Sequence, residues 1–351
     1  MTTKVNTIVV GQGLAGSLLA WNLIQRGEKV LVVDNRHRNS ASIVAAGIIN
    51  PVTGPRLVPS WRLEQLITAA RYTYQKLGNE LGSQFYSEIE LVRLFRDEKE
   101  RRLWISKKSQ SGTNRHLGTL RQPGWKPEIV SDPFGSFSPS GSGHLAVAKL
   151  LISMRKFFRA QGSLLYAHLD YNILKLTSDS IKWSDWETEK LIFCEGHNSI
   201  KNPFFQNLPF KSSKGEILEV ETEEVNFPQS IINRGQWILP IGENRYHAGS
   251  TFSWNPLNSN PTEKGKTHIL KNLGDFIQAR LHLREHRAGI RPVMKDFRPV
   301  IGFHPENSRI GIFNGLGSKG VLNAPFFADH FASHLLGKTK LDPEVAVDRF
   351  L

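Results

Sequence analysis

The chain has 351 residues, of which 39% are hydrophobic and 22% charged, an ordinary globular balance with enough length for one large or two interlocked domains. Its single cysteine, Cys194, excludes a disulfide framework and a cysteine metal site, and no apolar run is long enough to span a bilayer. The formal charge of +13 is compatible with an anionic substrate or RNA but does not by itself indicate either. We expect a cytoplasmic protein with no membrane segment, and its 12 scattered histidines predict no metal site.

Residues 7–34 predict a strand–helix–strand unit that binds a nucleotide. Gly11 permits a tight turn after the first strand, Gly13 lets the backbone approach a pyrophosphate, and Gly16 lets the helix pack closely. The N–H groups at the helix start would face the phosphates, and Asp34 would accept hydrogen bonds from ribose hydroxyls. The alternative interpretation is a tight strand–helix turn with no ligand.

The rest of the chain predicts further helices, an antiparallel sheet and a second glycine turn. Helical patterns cover residues 62–77, 97–107, 143–161 and 262–283, and strand patterns cover 215–225, 230–240 and 245–252. Small residues at 44–51 would let the backbone lie close to a planar ring or a phosphate, unless they form an ordinary loop. A glycine cluster at 315–320 follows a strand at 309–313 and opens a helix at 322–336, so it is either a second ligand-binding turn or a second tight turn.

Three motifs together resemble the D-amino-acid-oxidase superfamily of FAD-dependent flavoproteins. They are the glycine fingerprint at 11–16, the strand end at 194–196 (CEG), and the run 289–292 (GIRP) followed by the cluster at 315–320 (GLGSKG). The resemblance covers essentially the whole chain. Within the superfamily the sequence is similar both to glycine oxidase and to the oxidoreductase half of the tRNA methylaminomethyl-thiouridine biosynthesis protein. It implies an α/β fold, in which a Rossmann-like FAD-binding domain with a parallel sheet is joined to an antiparallel-sheet substrate domain.

The resemblance also implies a domain division and a set of cofactor contacts. The FAD-binding domain would comprise residues 1–80, 140–205 and 285–351, and the substrate or cap domain 81–139 and 206–284. FAD is expected to be non-covalent, because Cys194 does not sit where covalent-flavin relatives attach it. The implied FAD contacts are Gly11, Gly13, Leu14, Ala15, Gly16, Asp34, Asn35, Arg36, Ala45, Ala46, Gly47, Gly196, Gly315, Leu316, Gly317, Ser318, Lys319, Gly320 and Val321.

Two residues are implied at the catalytic site. Arg291 corresponds to the arginine that holds the substrate carboxylate in glycine oxidase, and a guanidinium suits a planar carboxylate; an ion pair is the alternative. Tyr246 lies in a run that resembles a family strand where an aromatic residue borders the pocket; a buried sheet tyrosine is the alternative. The chain departs from the family at Ser318, where glycine oxidase carries a second pocket arginine, and at Glu195, where the family usually has a small residue.

The implied reaction is oxidation of a C–N bond of a small amino acid or secondary amine by hydride transfer to flavin N5, with oxygen as the expected acceptor. One alternative is the same chemistry on a carboxymethylaminomethyl-uridine in tRNA, and another is a flavin-binding redox sensor without turnover. The tRNA alternative predicts a continuous basic stripe beside the pocket mouth, drawn from Arg36, Arg38, Lys107, Lys108, Arg115 and Lys126.

Overall fold

A computed structural model describes residues 2–36, 40–110, 115–224 and 227–350. Within these ranges the α-helices are α1 (Leu14–Ile24), α2 (Ala41–Val44), α3 (Leu63–Glu80), α4 (Glu98–Ser109), α5 (Val147–Ala160), α6 (Glu263–Gly274) and α7 (Gly320–Leu335). Short 3₁₀ turns occur at Arg115–Leu117, Tyr171–Ile173, Gly196–Lys201, Gly317–Lys319 and Val347–Phe350. None of the helices in the described ranges combines the length and apolar character needed to cross a membrane.

The strands of the first half of the chain are β1 (Thr3–Val10), β2 (Val30–Asp34), β3 (Ile48–Ile49), β4 (Val52–Thr53), β5 (Val58–Pro59), β6 (Tyr86–Glu88), β7 (Leu91–Leu94), β8 (Thr119–Arg121), β9 (Ser136–Ser138), β10 (Gly143–Leu145) and β11 (Leu164–Tyr166). The later strands are β12 (Lys175–Leu176), β13 (Ile181–Trp183), β14 (Trp186–Phe193), β15 (Ser213–Glu221), β16 (Ile231–Arg234), β17 (Gln236–Gly242), β18 (Arg245–Gly249), β19 (His282–Arg291), β20 (Val300–His304) and β21 (Asn307–Asn314).

A parallel sheet forms the first layer of the molecule. Its parallel strands lie in the order β11, β2, β1, β14, β21, and β13 and β20 join it as antiparallel neighbours. The central strands are apolar on both faces because both faces are covered: α1, α3, α5 and α7 pack on one face, and a second apolar cluster packs on the other. This arrangement places the carboxyl ends of β1, β2 and β14 at one edge, where ligands of such sheets bind.

A mainly antiparallel sheet forms the second layer, in the order β19-β15-β18-β17-β16-β7-β9-β8. One of its faces buries apolar side chains from β15, β17 and β18 against α6. The fold class predicted from the sequence, a Rossmann-like parallel sheet with an antiparallel-sheet domain, is confirmed.

The helix predicted over 262–283 is wrong beyond Gly274, where α6 ends. Thr262 caps α6 by accepting a hydrogen bond from the Gly265 N–H at 3.0 Å. Residues 275–281 form turns and irregular structure, and residues 282 and 283 begin β19 because they pair with β15, which overrides local helix propensity. The division into FAD-binding and cap domains stays a prediction, and its boundary at residue 285 falls inside β19.

Candidate active site

A cavity of about 720 Å³ lies between the parallel and antiparallel sheets, a volume typical of cofactor sites. On the side of the parallel sheet it is lined by the ends of β1, β2 and β14. On the other side it is lined by Ile217, Trp237 and Arg291 from β15, β17 and β19. The cavity therefore joins the two layers that the sequence predicted separately.

The first glycine turn is packed too closely to accept side chains. Gly11 has a φ of +103°, and a Cβ built there would lie 2.5 Å from the carbonyl oxygen of Cys194. A Cβ on Gly16 would lie 1.9 Å from the carbonyl oxygen of Gly11. Both obstacles are backbone atoms, so a side chain at either position would displace the turn itself.

Helix α1 opens directly onto the cavity. Its N-cap residue, Gly13, makes no side-chain capping bond, and Gly13, Leu14 and Ala15 all line the cavity. The Leu14 N–H donates to Ser42 Oγ at 3.1 Å, which fixes the loop after β2 against the turn. The helix start thus presents partial positive charge to a ligand, as phosphate-binding helices do.

Asp34 ends β2 at the wall of the cavity with a side chain that is 11% exposed. Its Oδ2 accepts the Gln12 N–H at 2.9 Å, its Oδ1 accepts the Arg36 N–H at 2.8 Å, and Arg155 Nη2 lies 3.7 Å from Oδ1. The carboxylate therefore holds the glycine turn in place as well as facing the cavity. Its role as a ribose acceptor stays a prediction.

The second glycine cluster opens a second helix onto the same cavity. A 3₁₀ turn at Gly317–Lys319 leads into α7, whose N-cap residue, Lys319, makes no side-chain capping bond. Asn314 connects this cluster to the end of β14, because its Nδ2 donates to the Gly196 carbonyl at 2.8 Å and to Ser199 Oγ at 2.7 Å. Two helix N-termini whose own N-cap residues make no side-chain capping bond therefore face one cavity.

The Arg291 guanidinium reaches the cavity from the end of β19 and is held by neutral acceptors. Nη1 donates to the carbonyls of Thr251 at 3.1 Å and Lys214 at 3.4 Å, and Nη2 donates to Ser250 Oγ at 3.0 Å. Among the described residues no carboxylate pairs with it, and burial lowers the pKa of Arg291 to about 10. A partly buried cation without a counter-ion is costly, so an anionic ligand at this point would be stabilised.

Most of the predicted contact residues do meet at the cavity. Those that line it are Gly11, Gly13, Leu14, Ala15, Asp34, Asn35, Ala45, Ala46, Gly47, Gly196, Arg291, Leu316, Gly317, Ser318, Gly320 and Val321. Gly16 and Gly315 instead lie behind the wall, against Gly11 and Met294. Arg36 and Lys319 are not among the residues that line the cavity. Arg36 instead stacks on the Tyr166 ring at 3.6 Å, and Lys319 Nζ lies 3.5 Å from Thr53 Oγ1.

Tyr246 is not brought to the cavity. Its side chain is 1% exposed and packs in the apolar core beside α6, with its ring centroid 4.5 Å from that of Phe227. Side chains alternate along β18, and Tyr246 shares the core-facing side with Ala248. The buried sheet tyrosine that the sequence left open as an alternative is what the structure shows.

Several cavity residues were not predicted from the sequence. Trp237 lines the cavity from β17, and no local motif marks it. Ser250 also lines the cavity, from the same run as Tyr246. Ser42 follows Asp34 in a small polar segment that gave no specific signal.

Glu195 was noted only as a departure from the family, but it lines the cavity. Its Oε1 accepts the Tyr171 hydroxyl at 2.7 Å, and its Oε2 accepts Asn202 Nδ2 at 2.8 Å. Burial raises the pKa of Glu195, and the two hydrogen bonds offset this only in part. The same burial raises the pKa of Tyr171. This part of the wall therefore favours a neutral carboxyl group.

Glu195→Gln is expected to stabilise the protein increasingly as the pH rises. Because the pKa of Glu195 is higher in the folded protein, this group contributes its full stability at pH values below the unfolded-state pKa of about 4.3. That contribution is lost as the pH rises through the folded-state pKa. The difference in melting temperature between Glu195→Gln and the parent should widen from pH 4 to pH 8. The exposed Glu306→Gln serves as the control and should follow the parent curve. A difference that is constant or that shrinks with pH would contradict the assignment.

The family described as DAO, FAD dependent oxidoreductase, matches residues 6–334 of the chain. The match spans most of the sequence, including both glycine turns and Arg291. The chain belongs to the DAO family. It is an FAD-dependent oxidoreductase, as the sequence predicted.

Individual relatives of this DAO-family enzyme are distant. It is 24% identical to the tRNA 5-methylaminomethyl-2-thiouridine biosynthesis bifunctional protein MnmC of Marinobacter nauticus over 93% of this chain, and it spans 55% of that protein. It is 22% identical to glycine oxidase of Bacillus licheniformis over 96% of this chain and 94% of that protein. The crystal structure of iminodiacetate oxidase from Chelativorans sp. BNC1 superposes with a TM-score of 0.77 at 21% identity, covering 98% of each chain.

The cavity of the DAO-family enzyme fits FAD. Its volume of about 720 Å³ and the close-packed glycine turn suit a long dinucleotide with a charged pyrophosphate. The two helix N-termini that face the cavity suit the pyrophosphate and a ring that becomes anionic on reduction. Residues of the first turn would hold the pyrophosphate, and the start of α7 would face the ring. Cys194 is 6% exposed and burial raises the pKa of its thiol, which keeps it in the unreactive protonated form.

Proposed function

We propose that this enzyme oxidises the C–N bond of a small amino acid or secondary amine that carries a carboxylate, such as glycine or an N-substituted glycine. The observation that carries the proposal is the Arg291 guanidinium, which lies in the cavity wall with neutral hydrogen-bond acceptors and, among the described residues, no acidic partner. A substrate carboxylate would supply the missing negative charge through a bidentate contact with the guanidinium.

Two features of the chain would serve the reaction, together with the bound cofactor. Ser250 and the carbonyls of Thr251 and Lys214 hold the guanidinium in one orientation, so the carboxylate docks in a fixed position and the substrate carbon is oriented with it. Ile217 and Trp237 also line the cavity, where both pack against Gly249 beside Ser250, and would exclude water. When bound, FAD supplies the acceptor for the hydride that leaves the substrate carbon.

We also propose that FAD is held without a covalent bond and that oxygen is the final acceptor. The buried, protonated thiol of Cys194 supports the first part, because it offers no thiolate for attachment. The second part stays an expectation from the resemblance.

The purified protein is expected to be yellow, to release intact FAD on heat denaturation, and to be reduced anaerobically by sarcosine or glycine. Dimethylamine and methylamine serve as matched controls, because they lack only the carboxylate that Arg291 would bind. Flavin absorbance is followed while each amine is titrated. Equal reduction by sarcosine and dimethylamine would contradict the role of the carboxylate, and protein that takes up no FAD would contradict the cofactor assignment.

A tRNA base bearing an aminoacetate group is the second candidate, favoured by the MnmC relative and by the formal charge of +13. The predicted basic stripe is spread over separate elements: Arg36 follows β2, Lys107 and Lys108 lie in the last turn of α4, and Arg115 pairs with Glu64. Lys126 lies in the loop between β8 and β9, and Arg38 lies outside the described residues. The stripe therefore stays a prediction, and the small amine remains our first choice.

A further inference from the structure

Two large aromatic side chains lie exposed on the segment that follows β18. Phe252 is 46% exposed and Trp254 is 62% exposed, and their ring centroids are 5.3 Å apart in an edge-to-face arrangement. We call this pair the aromatic lip. Exposed, adjacent aromatic rings are unusual on a protein surface and commonly mark a binding site.

The aromatic lip adjoins the anion-binding end of the cavity. The centroid of the Phe252 ring lies 5.2 Å from Cζ of Arg291. Ser250, two residues before it, bonds the same guanidinium, and Ser259, five residues after Trp254, lines the cavity. A ligand whose carboxylate meets Arg291 would therefore pass close to the lip if its other end extended out of the cavity.

The segment that carries the lip is anchored to the sheet. Ser253 exchanges two backbone hydrogen bonds with Lys214, at 2.7 and 3.0 Å. The Lys214 side chain is 1% exposed and its Nζ donates to Asn258 Oδ1 at 3.3 Å and to the carbonyl oxygen of Asn260. Because both ends of the segment are fixed, the rings are presented on a preorganised support, which favours binding over a mobile loop.

We propose that the aromatic lip binds a planar aromatic ring attached to the substrate nitrogen. The substrate class is then a glycine with an aromatic N-substituent, whose carboxylate lies on Arg291 and whose ring stacks on Trp254 or Phe252. The pairing follows from complementarity, because the site offers a cation for the carboxylate and π-faces for the ring, side by side. The ring is either part of a free amine or a nucleobase in an RNA loop. This inference rests on the proposed function.

The test compares anaerobic flavin reduction of the holoenzyme by N-benzylglycine and by sarcosine, which differ only in the N-substituent. Stacking of one ring on an aromatic side chain corresponds to a preference of roughly 5- to 150-fold in the second-order rate constant. The parent should show this preference for N-benzylglycine, and Trp254→Ala should reduce it towards unity. Tyr72→Ala, at a 68% exposed aromatic residue on α3, is the matched control and should keep it.

The outcomes separate the two proposals. If sarcosine reduces the flavin and N-benzylglycine shows no preference, the aromatic lip is overturned while the proposed function stands. If neither amine reduces the flavin, both are overturned. Equal loss of preference in Tyr72→Ala and Trp254→Ala also overturns the proposal for the aromatic lip. The same holds if the parent is a dimer and Trp254→Ala dissociates it while the substrate preference stays unchanged.

A binding measurement distinguishes the two sources of the ring. Fluorescence anisotropy of a labelled RNA hairpin is followed with the parent holoenzyme and with Trp254→Ala. Binding that Trp254→Ala weakens supports a nucleobase in RNA. Preference for N-benzylglycine without RNA binding supports a free aromatic amine.

Discussion

Arg291→Ala is expected to lower the efficiency of flavin reduction by glycine or sarcosine more than tenfold while leaving the FAD content unchanged. The variant would leave the substrate carboxylate without a charged partner in a partly dry cavity, which costs about 2–5 kcal/mol for truncated buried charge pairs. It would also leave Ser250 Oγ and two carbonyls without their donor. Stopped-flow absorbance over a range of substrate concentrations measures the change.

Two further variants sharpen this experiment. Arg291→Lys keeps the charge but loses the planar fork, so its efficiency should fall between that of the parent and Arg291→Ala. Arg284→Ala lies on the same strand, with a side chain that is 58% exposed, and should behave like the parent. An Arg291→Ala enzyme that is reduced as readily as the parent at the same substrate concentration would refute the carboxylate contact.

Gly16→Ala is expected to cost the protein both FAD and stability. The added Cβ would lie 1.9 Å from the Gly11 carbonyl oxygen, so the turn and α1 would have to separate. Overpacking of this kind costs about 1–3 kcal/mol, and the displaced turn would no longer present its backbone to the pyrophosphate. The ratio of flavin to protein absorbance and the melting temperature of the purified variant measure the two effects.

Gly274→Ala is the matched control for this prediction. It ends α6, and a Cβ there would meet no atom within 4 Å, so the protein should keep its FAD. Alanine also favours helix over glycine, so stability should not fall. If Gly16→Ala retained FAD and had the same melting temperature as Gly274→Ala, the close packing of α1 on the first turn would be disproved.

The nucleotide-binding half of the site could be predicted because its signals are local. The glycine spacing at 11–16 and Asp34 depend on a single strand–helix–strand unit, and the structure brings that unit to the cavity as expected. The second cluster at 315–320 is equally local. In both places the residue type follows from backbone geometry that only a few neighbouring residues determine.

The substrate end could be predicted only in part because its contacts come from distant segments. Arg291 was named from its motif, but its acceptors, Lys214, Ser250 and Thr251, lie 40 to 77 residues away. Tyr246 was placed at the pocket because the sequence does not say which face of a strand meets the core. For the same reason the sequence could not predict that Trp237 faces the cavity.

The order of strands in the parallel sheet has a consequence for the synthesis of the enzyme. β21, at Asn307–Asn314, completes the sheet beside β14, and α7 packs on α1 in one core. A nascent chain that has emerged only as far as residue 200 carries the first glycine turn but neither β21 nor the helix start that would face the flavin ring. Such non-local pairing is slow to form and exposes unpaired strand edges in the meantime. The cofactor site therefore exists only after the chain has been synthesised through α7.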